Sequence, residues 1–228
     1  MAGTCCHPDR TLDLPDVARP RLLELVRGLD RRSAGTVVLA GAGLSLGFIQ
    51  LLATPLQDVT AVDVQVLAVR TSLYMAPLAV TLLQLLREGP LLIEEARVVT
   101  RLGIRGWQLR LPRVLAMALS TLVLVLYFET AALVAAVVTK PEADAVGEMR
   151  FLMGNLDPVL FVVTLAKAGL FGAIASLLCL HQGARFRGRR TTEARAMSEA
   201  IVVTTAALLA IDLVWVLAAD PLQMAGNG

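Results

Sequence analysis

Charge in this sequence comes in clumps, and the gaps between the clumps are long enough to cross a lipid bilayer. A helix needs about 20 mostly apolar residues to span the hydrocarbon layer. Five segments meet that length: Gly35 to Leu56, Val62 to Leu86, Val114 to Thr139, Pro158 to Leu180 and Ala200 to Ala218. The third is the strongest, with Glu129 its single charge. Arg70 interrupts the second, Lys167 lies in the fourth and Asp212 in the fifth. A soluble domain keeps about a quarter of its residues charged. Here 18% are charged and 56% are hydrophobic, so the expected fold is an all-α membrane protein.

The arginines between the runs give that fold a direction. Residues before the first run hold Arg10, Arg19, Arg21, Arg27, Arg31 and Arg32. Between the second and third stand Arg87, Arg97, Arg101, Arg105, Arg110 and Arg113. Between the fourth and fifth stand Arg185, Arg187, Arg189, Arg190 and Arg195. In all, 17 of the 21 Lys and Arg fall on one side. The other side has Lys140 and Arg150, offset by Glu142, Asp144, Glu148 and Asp157. The positive-inside rule then predicts a cytoplasmic N-terminus and a C-terminus across the membrane, as an odd number of spans requires.

Ahead of the first span, Leu22, Leu25, Val26 and Leu29 recur at helical spacing, while Arg21, Arg27, Arg31 and Arg32 fall mostly elsewhere. Pro20 suits a first helical turn. The stretch 15–34 reads as an amphipathic helix in the cytoplasmic interface, arginines toward lipid phosphates; a soluble helix packed on a partner subunit has the same pattern. The expected organisation is a polar tail 1–14, this helix at 15–34, a five-span domain 35–218 with a cytoplasmic segment 87–113, and a tail 219–228.

Several motifs point to chemistry that their context does not support. Gly43-Leu44-Ser45-Leu46-Gly47 matches the nucleophile elbow of hydrolases, which requires a sharp strand-to-helix turn with histidine and acid nearby. It lies instead in an apolar helical run, and the chain has only His7 and His181. Gly43 and Gly47 read better as a face of small residues for close helix packing. Cys5, Cys6 and His7 start a metal-like cluster, but no second ligand group follows, so no metal is expected. No lipoprotein or secretory leader is expected either. The basic run Arg185 to Arg190 sits at a membrane border and reads as a topology anchor on lipid phosphates rather than a nucleic-acid site. There is no P-loop, so energy from ATP requires another subunit.

Charges within spans are costly unless paired or hydrated. Lys167 and Asp212 each lie about a dozen residues from the arginine-rich end of their helix, hence at similar depth, and are expected to form a buried ion pair. Glu129 is without an evident partner; lining a hydrated cavity, staying protonated and facing a subunit interface all remain open. Glu94, Glu95, Arg97 and Arg101 place acids ahead of bases, which suits docking on a soluble partner and equally a solvated helix.

Lys167 through Phe171-Gly172 and Cys179-Leu180-His181-Gln182-Gly183 form two further motifs. The first is similar to the Lys-x-x-x-Phe-Gly, and the second to the Cys-Tyr-Gln-Gly helix end, of the MlaE/YrbE family of ABC permeases of Mla and Mce lipid-transport systems, which this chain resembles. Leu209 to Asp212 resembles its final helix with one acid. Leu102-Gly103-Ile104 followed by Pro112-Arg113-Val114-Leu115-Ala116 is similar to Met-Gly-Ile…Pro-Arg-Val-Leu-Ala, and Ala76-Pro77 with Arg87 and Gly89 to Gly-Pro…Gly-Arg-x-Gly. The likeness covers roughly residues 70 to 218. Two departures stand out: the interval from Gly89 to Gly103 is several residues short, and Leu86 replaces the glycine before Arg87.

The resemblance implies an interfacial helix followed by five spans in a bacterial inner membrane, and a permease subunit rather than an enzyme. It implies a partner ATPase carrying ATP and magnesium, with no cofactor in this chain, an MCE-type lipid-binding protein beyond the membrane, and a second permease copy or related permease. It gives Arg87, Glu94, Glu95, Arg97 and Arg101 to ATPase coupling. Leu73, Tyr74, Met75 and Leu78 would line a cavity for lipid, phospholipid or a relative. The shortened interval keeps a non-transporting scaffold permease as an alternative; a polytopic lipid-modifying enzyme is a further one, which the two isolated histidines disfavour.

Overall fold

A computed structural model of the chain describes residues 14–53, 61–101, 107–139, 145–185 and 193–226. They form six helices: α1 Leu14–Ala53, α2 Ala61–Arg101, α3 Trp107–Val138, α4 Ala145–Gly154, α5 Pro158–Arg185 and α6 Glu193–Gly226. Five are long and apolar enough to cross a membrane, with candidate spans at Ser33–Leu51, Val64–Thr100, Arg110–Val138, Pro158–Arg185 and Met197–Ala218. Cys5, Cys6, His7, Gly103 and Arg187 lie outside the described residues, as do Arg105 and Lys140.

The bundle is organised around α2 and α3: α2 packs against α1, α3, α5 and α6, and α3 against α1, α2, α4 and α5. Its core comes in three layers. At the arginine-rich end, Leu85, Leu92, Ile93 and Ala96 of α2 meet Phe171, Ala175 and Cys179 of α5 and Ala200 and Leu208 of α6. In the middle, Val37 of α1, Ala76 and Val80 of α2 and Ala168 of α5 enclose Leu124, Val125 and Phe128 of α3. At the opposite end, Val69, Leu133, Ala136 and Val137 cover Leu152 of α4.

Two boundaries differ from the sequence expectation. The stretch 15–34 and the first span are one helix, since nothing in Leu29–Gly35 stops a helix. Likewise α2 does not end at Leu86: it runs through Gly89 and Pro90 to Arg101. Pro90 removes one helical N–H and ordinarily kinks or ends a helix. Here Leu92, Ile93 and Ala96 follow at helical spacing and bury in the core, so packing holds the helix together. A third difference is α4, a short amphipathic helix in a stretch read as a connection between spans three and four.

The close contact of α1 with α3 also corrects the expected glycine face. Gly43 and Gly47 have open space around them. The contact is made by Gly41, where an added Cβ would lie 2.5 Å from the Phe128 carbonyl oxygen, and by Ser45, whose Oγ donates to the Ala132 carbonyl at 3.0 Å. The small-xxx-small pair is therefore Gly41 and Ser45. A similar tie joins α2 to α3: Gln65 Nε2 donates to the Ala136 carbonyl at 3.0 Å.

Candidate functional site

Two regions carry most of the polar chemistry. The first is the projecting end of α2. Its candidate span of 37 residues, Val64–Thr100, is ~55 Å long at 1.5 Å per residue, against ~30 Å of hydrocarbon. A good part of the helix must stand beyond the apolar layer, and the arginines mark which part. Arg87, Leu91, Glu94 and Val98 are all exposed, and their spacing of four, three and four puts them on one stripe. Leu91 is 50% exposed and Val98 48%, so the stripe mixes acid, base and apolar groups.

The other coupling candidates do not share this stripe. Arg97 is buried, and Glu95 is engaged within the chain. Arg113 Nε of α3 lies 2.9 Å from Glu95 Oε2 and donates to Oε1 at 3.1 Å. Behind this pair is a cleft of about 260 Å³ between α1, α2 and α3, lined among others by Glu24, Glu88, Glu95 and Arg113. The side chain of Arg101 is not among those described. Sequence reasoning missed Leu91 and Val98; counting on from Arg87 by four, three and four residues would have found them.

The second region lies within the membrane. Lys167 of α5 and Asp212 of α6 form an ion pair. Their side chains are 7% and 15% exposed, and the Lys167 ammonium also sits 5.4 Å from the centre of the Phe171 ring, a cation–π distance. Glu129 of α3, open in the sequence reading, has a partner after all: Ser72 Oγ of α2 donates to its Oε2 at 3.4 Å.

A chain of hydrogen bonds joins α1, α2 and α3 between the two regions. Ser120 Oγ donates to Asp30 Oδ1 at 2.6 Å, Gln84 Nε2 donates to Ser120 Oγ at 2.8 Å, and Thr121 Oγ1 donates to Gln84 Oε1 at 2.7 Å. Burial raises the Asp30 carboxyl from its ordinary value, and the Ser120 hydrogen bond partly opposes this. None of these four residues was singled out from sequence, because a lone Ser, Thr or Gln in an apolar run carries no partner signal.

The motif positions serve close packing. At Gly172 an added Cβ would collide with Thr121 Oγ1, so only glycine lets α5 pass α3 there. At Gly183 it would lie 2.6 Å from the Ile93 carbonyl oxygen. Phe171 is fully buried, Gly89 is buried, and Pro112 and Gln182 are partly exposed. The suggested lipid-lining set is split. Leu73 is 1% exposed and belongs to the core, Leu78 is partly buried against the core layer at the arginine-rich end, and Tyr74 and Met75 are exposed at 44% and 45%. Consecutive helical residues point about 100° apart, so these four cannot share one wall.

Among known protein families, residues 94–218 match the model described as Permease MlaE. The matched stretch begins on the α2 stripe and runs through the Lys167–Asp212 pair to the end of the last span. No curated protein matches the chain.

Proposed function

More than half of the chain matches that model, so the protein belongs to the MlaE permease family, and from this premise we propose that it is the membrane subunit of an ABC transporter moving phospholipid or a related lipid. The observation that carries the reading is the α2 stripe of Arg87, Leu91, Glu94 and Val98, set beyond the apolar layer on the arginine-rich side. On this reading that side is cytoplasmic, the C-terminus is periplasmic, and the membrane is a bacterial inner membrane. The stripe docks on an ATPase that binds ATP and magnesium, and an MCE-type lipid-binding protein stands at the opposite side.

Mechanically, α2 is one helix from the stripe to Ser72, Tyr74 and Met75. Closure of the ATPase dimer pushes on the stripe, and a continuous helix carries that push past the Ser72–Glu129 contact to the outward face of Tyr74 and Met75. A second permease subunit completes the lipid path there. The engagement of Glu95 by Arg113 leaves Glu94 as the acid presented to the ATPase, which favours a heteromeric pair whose other subunit makes the fuller contact.

The test is affinity purification of the tagged full chain in mild detergent, with mass spectrometry of the proteins and lipids that follow it. An ATPase and an MCE protein in fixed ratio, with phospholipid, are expected. A second permease in the same complex supports the heteromer. A chain that purifies without an ATPase overturns the transporter reading in favour of a scaffold.

A further inference from the structure

At the end opposite the arginines, α4 folds back against the last turn of α3. Leu152 is the buried anchor of α4. Val146, Met149, Arg150 and Met153 recur at three- and four-residue spacing and so form one face of the helix. That face and Val134 and Val138 of α3 are the walls of a groove of about 580 Å³, within the ~300–1,000 Å³ range of small-molecule sites.

Apolar exposure alone means nothing on a membrane helix, since bulk lipid covers it. Three features set this groove apart. It is concave, where a lipid-facing helix surface is convex. Arg150 is the one charged side chain among the described residues of its lining. It makes no ion pair among the described residues. Its depth is also telling. The candidate span of α3 holds 29 residues ending at Val138, ~43 Å at helical rise, which exceeds the ~30 Å hydrocarbon thickness. A helix longer than the hydrocarbon layer leaves it at its ends, and the groove, at the last turn of α3, is placed by this at the boundary between acyl chains and headgroups, with Arg150 in its lining. Arginine is the side chain best matched to a phosphate, offering paired N–H donors and a permanent charge.

We propose that the α3–α4 groove seats one phospholipid drawn from the bilayer, its acyl chain against Val134, Val138, Val146, Met149 and Met153 and its phosphate on Arg150. The seat rests on the membrane placement of the chain; under the transporter reading it is a holding place on the side where a lipid carrier stands. It lies on α3 and α4, and Tyr74 and Met75 are not in its lining.

Native mass spectrometry of the full chain, released from detergent, reads the seat directly. One phospholipid per chain is expected to survive release from the wild type. Arg150→Gln lowers the lipid-bound fraction about tenfold, as loss of a charge-assisted phosphate contact does, while Arg150→Lys holds it within a few-fold. Ala145→Phe, which fills the groove without touching the charge, also empties it. Arg70→Gln removes a cation whose Nη2 donates to the Asn155 carbonyl at 3.2 Å at the same end but outside the groove, and leaves binding unchanged. Thermal unfolding of each variant identifies any that lose lipid through misfolding. Equal retention by wild type, Arg150→Gln and Ala145→Phe overturns the proposal. So does lipid that appears only once a partner's membrane helix has been stripped away, which makes that helix the occupant. Copurification of an ATPase is scored separately, so failure of the seat and failure of the transporter reading are distinct results.

Discussion

Two ion pairs among the described residues join helices of this bundle, and their surroundings make them different kinds of interaction. Lys167–Asp212 joins α5 to α6 with side chains 7% and 15% exposed, while Glu95–Arg113 joins α2 to α3 at 30% and 40%. In water-accessible surroundings, screening and side-chain entropy leave a pair worth roughly 0–1 kcal/mol. In a dry interior the attraction and the desolvation cost are both large, and removing one partner strands the other's charge. The inner pair is therefore a fastener and the outer one an adjustable contact. An adjustable contact belongs where a partner docks.

The largest expected effect tests the first half of that contrast. Lys167→Met leaves the Asp212 carboxylate without its partner at the α5–α6 contact and should cost about 3–5 kcal/mol, read by thermal or denaturant unfolding in detergent. The double variant Lys167→Met with Asp212→Leu should recover most of that loss, since an apolar pair of similar size has no charge to strand. If the double variant is as unstable as the single one, the pair does more than fasten α5 to α6.

The next effect lies between the two pairs. Gln84 bridges Ser120 and Thr121, and through Ser120 reaches Asp30 of α1. Gln84→Ala leaves buried polar atoms without partners, which should cost about 1–3 kcal/mol. Smaller again is Arg113→Gln, which should change stability by less than about 1 kcal/mol. It frees Glu95 and, under the transporter reading, should still alter the turnover of a copurified ATPase. A loss above about 2 kcal/mol would place the outer pair in the same class as the inner one and end the contrast.

How much of this was legible follows from what repeats along the chain. The five spans and the depth match of Lys167 and Asp212 could be read because both rest on linear counts: run length and distance from a helix end. The continuity of α2 through Pro90 could not, because it depends on Leu92, Ile93 and Ala96 finding a core built by α5 and α6. The true α1 contact at Gly41 was missed for a related reason. Gly41, Gly43 and Gly47 look alike in sequence, and only the position of the Phe128 backbone separates them. The polar chain from Asp30 to Thr121 spans three helices, so no local pattern announces it.

The smallest effect concerns Asp30 at the α1 end of that chain. Burial is the larger influence on its carboxyl and raises it, while the Ser120 hydrogen bond lowers it. With the folded value above the unfolded one, about 3.9, folding favours the protonated acid. Asp30 therefore contributes stability fully present below the unfolded value and lost as pH rises through the folded one. Asparagine keeps an acceptor for Ser120 Oγ and never ionises. Asp30→Asn should thus be more stable than the wild type at neutral pH, and the gap should close as pH falls toward 4. Every other carboxylate titrates alike in both proteins, so the difference between their melting temperatures isolates this one group. A gap that does not change with pH would mean that the Asp30 carboxyl titrates alike folded and unfolded, its burial offset by polar contacts at the arginine-rich end. The network would then belong with the adjustable outer pair and not with the buried one.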